Sequence, residues 1–334
     1  MRVLWFLFAA LTVAFAGVSA SADQPKLTIY TYNSFTSEWG PGPLVTPLFE
    51  KQCGCKIEWV ALEDGAALLS RLQLEGDRSA ADLVLGLDTN LTAEAAATGL
   101  FAPHSLDLKG LSLPIAWTDP SFVPFDYGYF AFVYDSEALK SPPNSFAELV
   151  MPGAGPKLLL QDPRTSTPGL GLLLWVKQIY GDKSAEVWRS LAPKILTVSK
   201  GWSESYGLFQ KGEAPIVLSY TTSPAYHLMV DKTDRYKALD FPEGNYLQVE
   251  VAGMLKTSQH QDLAKQFLAF MVSPEFQKTI PTTNWMYPVT DIGADLPQVF
   301  RDIPKPAKSL LYSPDEVAAH RQAWIEEWLD IVSR

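Results

Sequence analysis

The sequence contains few of the residues that metal, redox and nucleophilic sites use most often. Only two cysteines and four histidines occur in 334 residues, and the histidines lack the His-Glu-x-x-His spacing of a zinc site. Basic residues are also outnumbered, with 27 Lys and Arg against 37 Asp and Glu, which gives a formal net charge of -10. Because nucleic acids and anionic membranes attract a basic surface, this balance argues against both as partners. It mildly favours a cationic ligand.

Long apolar runs are confined to the N-terminus. Met1-Arg2 precedes an apolar run from Val3 to Val18, and small residues follow at 19–22. This order is typical of a cleaved secretory signal peptide, which we place at residues 1–22. No later run approaches the roughly 20 apolar residues of a membrane span. The sequence therefore predicts export to the periplasm, without direct membrane insertion.

The two cysteines stand close together as Cys53-Gly54-Cys55. An oxidising compartment allows them to pair, but a loop this tight would be strained. A local disulfide and two free thiols therefore both stay open. Two thiols cannot complete a four-ligand metal site alone, and we predict neither a metal nor a cofactor.

From Lys26 onward, strand-like and helix-like segments alternate, which predicts an α/β fold with mostly parallel sheets. Two long strand-like segments, Ser121 to Asp135 and Tyr246 to Leu255, interrupt this alternation. We interpret them as hinge strands that cross between two domains around a ligand cleft. The predicted first lobe comprises residues 23–124 and 245–290, and the second comprises residues 125–244 and 291–334.

The stretch from Gln161 to Gly171 predicts a strand-to-helix corner in the second lobe. It follows the apolar run 158–160, and Thr167 is placed to be the N-cap with Pro168 at the first helical position. Such corners hold ligands in open α/β sheets, and the helix start offers unpaired N–H groups to an anionic or polar group. An ordinary capped helix is the alternative.

Other predicted strand-to-helix loops carry large aromatics beside small polar residues. Because strand ends converge on the cleft in this architecture, these groups are expected to meet there. Flat rings with one carboxylate suit a flat heteroaromatic cation. The alternatives are aromatics that only cover the core and, for Asp64, a helix-capping role. The loops contain Tyr32 with Trp39; Asp64 with Gly65; Ser166 with Thr167; Trp202; Tyr220 to Ser223 with Tyr226; and Trp285 with Tyr287.

Catalytic patterns are weak in comparison. The segment 201–204 lacks the second glycine of a nucleophile elbow, and 169–171 is too short for a dinucleotide fingerprint. Export, two lobes and a cleft instead predict a periplasmic binding protein that closes around its ligand by hinge motion.

Six stretches of the sequence carry a resemblance to a known family. They are Ala61 to Gly65, Phe122 to Asp135, Gln161 to Trp175, Lys200 to Glu204, Leu218 to His227 and Asn284 to Pro288. They closely resemble the thiamine-binding members of the type II periplasmic binding proteins, the substrate-binding components of bacterial thiamine ABC transporters. The resemblance spans essentially the whole mature chain. It implies a two-lobed type II periplasmic binding fold, related to iron(III)-binding and polyamine-binding proteins.

The resemblance implies capture of thiamine, and of its mono- and diphosphate, for delivery to an inner-membrane ABC permease with its ATPase. We expect Asp64 to hold the pyrimidine end of the ligand. The hydroxyethyl or phosphate end is assigned to Ser166, Thr167 and the 220–223 corner. The implied ligand positions are Asp64, Gly65, Ser166, Thr167, Trp202, Tyr220, Thr221, Thr222 and Ser223, with Tyr32, Trp39, Tyr226 and Trp285.

Two alternatives remain beside thiamine binding. Another organic cation, such as a polyamine, suits the same fold. A polycation carries several positive charges, however, and the sequence indicates only one clear carboxylate in the cleft. A thiaminase-like enzyme would need a cysteine nucleophile, and Cys53 and Cys55 lie outside the candidate cleft loops. We therefore expect a binding protein rather than an enzyme.

Overall fold

The computed structural model describes residues 24–332, so the predicted signal peptide lies outside the described residues. The strands are Lys26–Tyr32 (β1), Lys56–Leu62 (β2), Leu83–Asp88 (β3), Val123–Asp135 (β4), Leu158–Gln161 (β5), Ile195–Ser199 (β6), Ile216–Tyr220 (β7), Tyr236–Ala238 (β8), Asn245–Met254 (β9), Tyr287–Pro288 (β10) and Ser309–Leu310 (β11).

Fourteen α-helical segments connect or flank these strands within residues 24–332. They are Asn33–Thr36 (α1), Gly42–Cys53 (α2), Gly65–Glu75 (α3), Thr92–Ala97 (α4), Phe146–Leu149 (α5), Thr167–Tyr180 (α6), Ser184–Leu191 (α7), Trp202–Gln210 (α8), Ser223–Tyr226 (α9), Gln261–Met271 (α10), Pro274–Gln277 (α11), Ile280–Thr283 (α12), Gln298–Asp302 (α13) and Pro314–Val332 (α14). No helix in this described part of the chain is both long enough and apolar enough to cross a bilayer.

The sheet runs through both lobes in the order β2-β1-β3-β9-β4-β7-β5-β6. In the first lobe β1 is parallel to β2 and β3, and in the second β5 is parallel to β6 and β7. The long strands β4 and β9 are antiparallel to each other and to β7 and β3, whereas the short strand β11 is parallel to β9. The outer strands of each lobe are therefore parallel, as the sequence predicts, and the crossing strands make the sheet mixed.

The two predicted crossing strands are present. β4 pairs with β9 over residues 123–129 and then with β7 over residues 130–134, so this one strand passes from the first lobe into the second. Both β4 and β9 are almost wholly buried, which explains their nearly continuous apolar sequence. They are the connection around which the lobes are arranged.

Local signals set several helix boundaries. α2 ends at Gly54, which adopts φ 64°, the left-handed conformation that glycine tolerates best. At the start of α14, Ser313 and Glu316 exchange reciprocal hydrogen bonds, which form a capping box. The connection after β1 begins with the short helix α1.

The C-terminal helix α14 contacts both halves of the molecule. Arg321 forms an ion pair of 2.9 Å with Glu94, in α4 of the first lobe. Glu327 accepts hydrogen bonds from Lys177 at 2.9 Å and from Ser184 at 2.6 Å, in the second lobe. Because α14 contacts both lobes, the assignment of residues 291–334 to the second lobe stays a prediction.

The two cysteines form a disulfide bond, with Cα atoms 5.2 Å apart. The bond lies at the C-terminal end of α2, beside the Gly54 cap. Of the two possibilities that the sequence leaves open, the structure has the disulfide.

Candidate functional site

A cleft of about 420 Å³ lies between the two lobes, within the roughly 300–1,000 Å³ of small-molecule sites. Most of the residues proposed from sequence line it, at the ends of strands from both lobes. The lining residues among them are Tyr32, Trp39, Asp64, Thr167, Trp202, Tyr220, Ser223, Tyr226 and Trp285. Whether each contacts the ligand stays a prediction.

Four of the proposed residues lie behind the lining rather than in it. Gly65 donates its backbone N–H to the Thr167 hydroxyl at 3.1 Å, which joins the two lobes. Ser166 is buried and bonded to Asp64, and Thr221 donates its backbone N–H to the Tyr129 carbonyl. Thr222 is fully buried. These residues shape the corners that carry the lining side chains.

Asp64 lies at a direct contact between the lobes. Its Oδ2 accepts hydrogen bonds from the Ser166 hydroxyl at 2.8 Å and from the Trp202 backbone N–H at 3.2 Å. Burial raises the pKa of Asp64 to about 7, although these two hydrogen bonds lower it. Asp64 takes the N-cap position of α3, but its side chain makes no capping hydrogen bond. The carboxyl group therefore serves the lobe contact rather than its own helix.

The structure corrects one expectation for this corner. The N-cap of α6 is Ser166, whose hydroxyl accepts from the Gly169 N–H, and Thr167 is already helical. Asp64 and Ser166, which the sequence analysis assigns to opposite ends of the ligand, bond to each other because the loop after β2 lies directly against the loop after β5. The ligand assignment of both residues stays a prediction.

Aromatic pairs join the two walls of the cleft. Trp39 packs edge-on against Trp202 with ring centroids 6.1 Å apart, and Tyr226 packs edge-on against Trp285 at 5.3 Å. Each pair joins residues of different lobes. Trp39 is still 47% exposed, so its ring stands at the mouth of the cleft. Flat rings on both walls offer stacking surfaces to a flat ligand.

A chain of hydrogen bonds holds the Trp202 wall in place. Trp202 stacks on Tyr206 at 4.9 Å, and the Tyr206 hydroxyl bonds to His227 Nε2 at 2.8 Å. His227 Nδ1 lies 2.7 Å from the Asp231 carboxylate. On its other side, the Trp202 indole N–H donates to Ser219 at 2.8 Å. These contacts hold the Trp202 ring in one orientation, and a preorganised ring lowers the ordering cost of binding.

Tyr32 fits against β3 because residue 86 is a glycine. Gly86 has φ 109° and lies at a shift in the strand register, and a Cβ there would overlap the Tyr32 ring. The Tyr32 hydroxyl then donates to Glu250 Oε2 at 2.7 Å. Burial, together with the nearby Glu250 and Asp126, raises the pKa of this hydroxyl well above its usual value.

Glu250 is a second lining carboxyl group, and the sequence reasoning missed it. It lies on β9 directly opposite Asp126 of β4, and Asn284 donates to both side chains. The signal was present in the sequence, because Gln248 and Glu250 are polar residues two apart on an otherwise apolar strand. Other lining residues missed at that stage are Asn33, Ser34, Ser37, Ser203, Tyr206, Gly207, Gln210, Asn284 and Met286.

The charge of the cleft is one-sided. Asp64 and Glu250 line it, and within residues 24–332 no lysine, arginine or histidine does. Buried carboxyl groups without cationic neighbours are unfavourable until a cation arrives, because burial disfavours their charged form. The arrangement therefore favours an organic cation with flat rings.

Comparison with known proteins agrees with this geometry. Residues 33–278 match the family described as bacterial extracellular solute-binding protein. The sequence is 56% identical to the thiamine-binding periplasmic protein of Brucella abortus biovar 1 (strain 9-941), covering 100% of both chains. It is also 56% identical to the protein of that name from Escherichia coli (strain K12), covering 93% of this chain and 94% of that one.

A solved structure of a periplasmic thiamin binding protein superposes with a TM-score of 0.91 at 56% identity, covering 93% of this chain and 97% of that chain. The predicted fold class, two α/β lobes around a cleft in the type II periplasmic binding arrangement, is therefore confirmed.

Proposed function

Because the chain belongs to the bacterial extracellular solute-binding proteins and, within them, to the thiamine-binding periplasmic proteins, we propose that it captures thiamine in the interlobe cleft for import by an ABC transporter. The observation that carries the proposal is the pairing of aromatic walls with two lining carboxyl groups and no lining basic side chain in the described chain. Thiamine combines a cationic thiazolium ring with a flat aminopyrimidine, and both match this lining.

The finer parts of the proposal concern location and partners. The relatives are periplasmic by name, and the leader-like residues 1–22 support the same location for this chain. We propose an inner-membrane permease with its ATPase as the partner that receives the ligand. We also propose that thiamine mono- and diphosphate bind. Their phosphate groups would rely on hydroxyl and backbone N–H donors, such as those of Thr167, Ser203 and Ser223.

The proposed role involves no catalysis and no cofactor. The cysteines are tied to each other outside the cleft lining, which removes the thiol that a thiaminase-like mechanism needs. Incubation of thiamine with excess protein and an added nucleophile should therefore return intact thiamine. Cleavage products at a rate above the protein-free control would contradict this part of the proposal.

A polyamine is the second candidate ligand, and one observation favours it. Glu250 adds a second carboxyl group to the cleft, where the sequence indicated only Asp64. Against it, a polyamine has no flat ring that could stack on the aromatic walls. Spermidine is therefore the competitor to include in the binding test.

Tryptophan fluorescence tests the proposal directly. Nine of the ten tryptophans lie outside the leader, and Trp39, Trp202 and Trp285 line the cleft. We expect saturable quenching of ligand-stripped protein by thiamine and none by spermidine. Trp39→Phe should reduce the quenching, whereas Trp324→Phe, a change in α14 away from the lining, should leave it intact. A flat thiamine curve would contradict the proposed function.

A further inference from the structure

Two carboxyl groups face each other where the crossing strands β4 and β9 run side by side. Asp126 and Glu250 are direct register partners, and both side chains are buried. Their oxygens converge on one amide nitrogen, since Asn284 Nδ2 lies 2.5 Å from Asp126 Oδ2 and 3.3 Å from Glu250 Oε2. Glu250 also lines the cleft, so this carboxyl pair connects the hinge strands with the ligand space.

The hydrogen-bond donors around the pair are too few for two carboxylates. Glu250 accepts from the Tyr32 hydroxyl at 2.7 Å and from Gln248 Nε2 at 2.9 Å. Asp126 Oδ1 is buried and has no donor within residues 24–332. A proton on one of the two carboxyl groups would supply the missing donor, because the neighbouring carboxyl group is within reach of it.

The surrounding groups also favour a shared proton. Tyr32 from β1, Asp88 from β3 and Tyr220 from β7 are all acidic or neutral. Burial raises the pKa of Asp126 to about 7. Burial and the adjacent Asp126 raise the pKa of Glu250 well above its usual range. Both shifts agree with a proton that the two carboxyl groups share.

We propose that the Asp126–Glu250 pair is the counter-charge for the cationic ligand, and that it releases its shared proton to solvent when the ligand binds. The inference rests on the proposed function and adds the group that recognises the positive charge. No covalent bond of the ligand forms or breaks. The proton moves from the pair to the buffer, and the ligand brings one positive charge into its place.

The sign of the pH dependence follows from this proton balance. A ligand that binds better to the deprotonated pair gains affinity as the pH rises. The logarithm of the affinity increases with pH by the number of protons released, so full release corresponds to about tenfold per pH unit. The affinity rises with pH only up to the pKa of the ligand-free pair, because above it the pair has no proton left to release.

Calorimetry with thiamine at pH 7, in phosphate and in Tris, measures the released protons, because the two buffers differ in ionisation enthalpy. We expect the wild-type protein to release at least about half a proton per thiamine bound. Thiamine binding without buffer dependence would overturn this inference and leave the proposed function standing. Absence of thiamine binding in both buffers and in the fluorescence titration would instead overturn the proposed function itself.

Isosteric variants identify the source of the proton. Glu250→Gln should lose most of the release and bind thiamine at least about tenfold more weakly at pH 8, because the ionised carboxyl group is gone. Asp126→Asn should also lower the release, because the amide leaves Glu250 without a second carboxyl group with which to share a proton. A merely structural role for the pair would weaken binding without changing the proton count.

Asp64→Asn is the matched rival, because Asp64 is the other lining carboxyl group and burial raises its pKa to about 7. If Glu250→Gln removes the larger share of the release, the pair is its source. A larger loss in Asp64→Asn would overturn the inference and assign the proton to the lobe contact. Thermal unfolding of each variant checks that the fold is retained.

Discussion

Asp64 shows how one side chain connects protonation with lobe contact. Its oxygen accepts from the Ser166 hydroxyl and the Trp202 N–H, both in the other lobe, while burial raises its pKa to about 7. A raised folded-state pKa means that the folded protein holds this proton when the unfolded chain, with an ordinary Asp pKa near 3.9, has lost it. The stability from this group is therefore lost as the pH rises through about 7.

Asp64→Asn should remove that titration. Relative to the variant, we expect ligand-free wild type to lose on the order of 2 kcal/mol of unfolding free energy between pH 5 and pH 8. Unfolding followed at both pH values measures this difference. Asp77→Asn, an exposed change at the end of the α3 region, is the control and should show no such trend. Parallel behaviour of wild type and Asp64→Asn would refute the assignment.

At the scale of elements, helices α6 and α8 carry glycines for different reasons. Gly171 of α6 lies against the ring of Phe130 on β4, where a Cβ would overlap the ring. Gly207 of α8 has no neighbour within 4 Å of such a Cβ. The first glycine allows close packing of helix on sheet, whereas the second costs helix stability without a packing return.

Alanine at these two glycines should therefore have opposite effects. Gly171→Ala overpacks the core and should destabilise the protein by about 1–3 kcal/mol. Gly207→Ala should stabilise it by about 0.5–1 kcal/mol, because alanine favours the helix. Unfolding of the ligand-free variants under one set of conditions compares them. Stabilisation by Gly171→Ala would contradict the tight helix–sheet contact, and destabilisation by Gly207→Ala would contradict the open space at that position.

On the scale of the whole molecule, four buried carboxyl groups gather around the cleft and hinge. They are Asp64, Asp88, Asp126 and Glu250, and burial is the largest cause of the raised pKa of each. Between about pH 5 and their folded-state pKa values, the folded protein holds more protons than the unfolded chain. His227 opposes them, since burial lowers its pKa and its contribution to stability grows as the pH rises through 6.5.

The ligand-free protein should therefore become less stable from pH 5 to pH 8, since four carboxyl groups outweigh one histidine. Thiamine should restore more stability at pH 8 than at pH 5, because a cation offsets the ionised carboxylates. Thermal unfolding with and without saturating thiamine at each pH provides the comparison. A thiamine effect larger at pH 5 would contradict the electrostatic account of the cleft.

Most of the candidate site was accessible from local sequence signals. Loops that join aromatics with small polar residues at strand ends identified Trp39, Asp64, Trp202, Tyr220 and Trp285 as expected cleft residues, and all five line it. The route worked because parallel strands present their carboxyl ends to one edge, so similar loops converge. One prediction was wrong where two neighbouring residues can both cap a helix. Ser166, not Thr167, is the N-cap of α6.

By itself, the sequence determined the α/β class, the two crossing strands and the corners that face the cleft, because periodicity, caps and strand ends act over a few residues. Only the tertiary structure decided that Asp64 meets Ser166, 102 residues away, and that Glu250 meets Asp126. Such pairs depend on the register of strands and on the closeness of the two lobes. No local pattern encodes either, since a carboxyl group on an apolar strand acquires its partner only when the sheet forms.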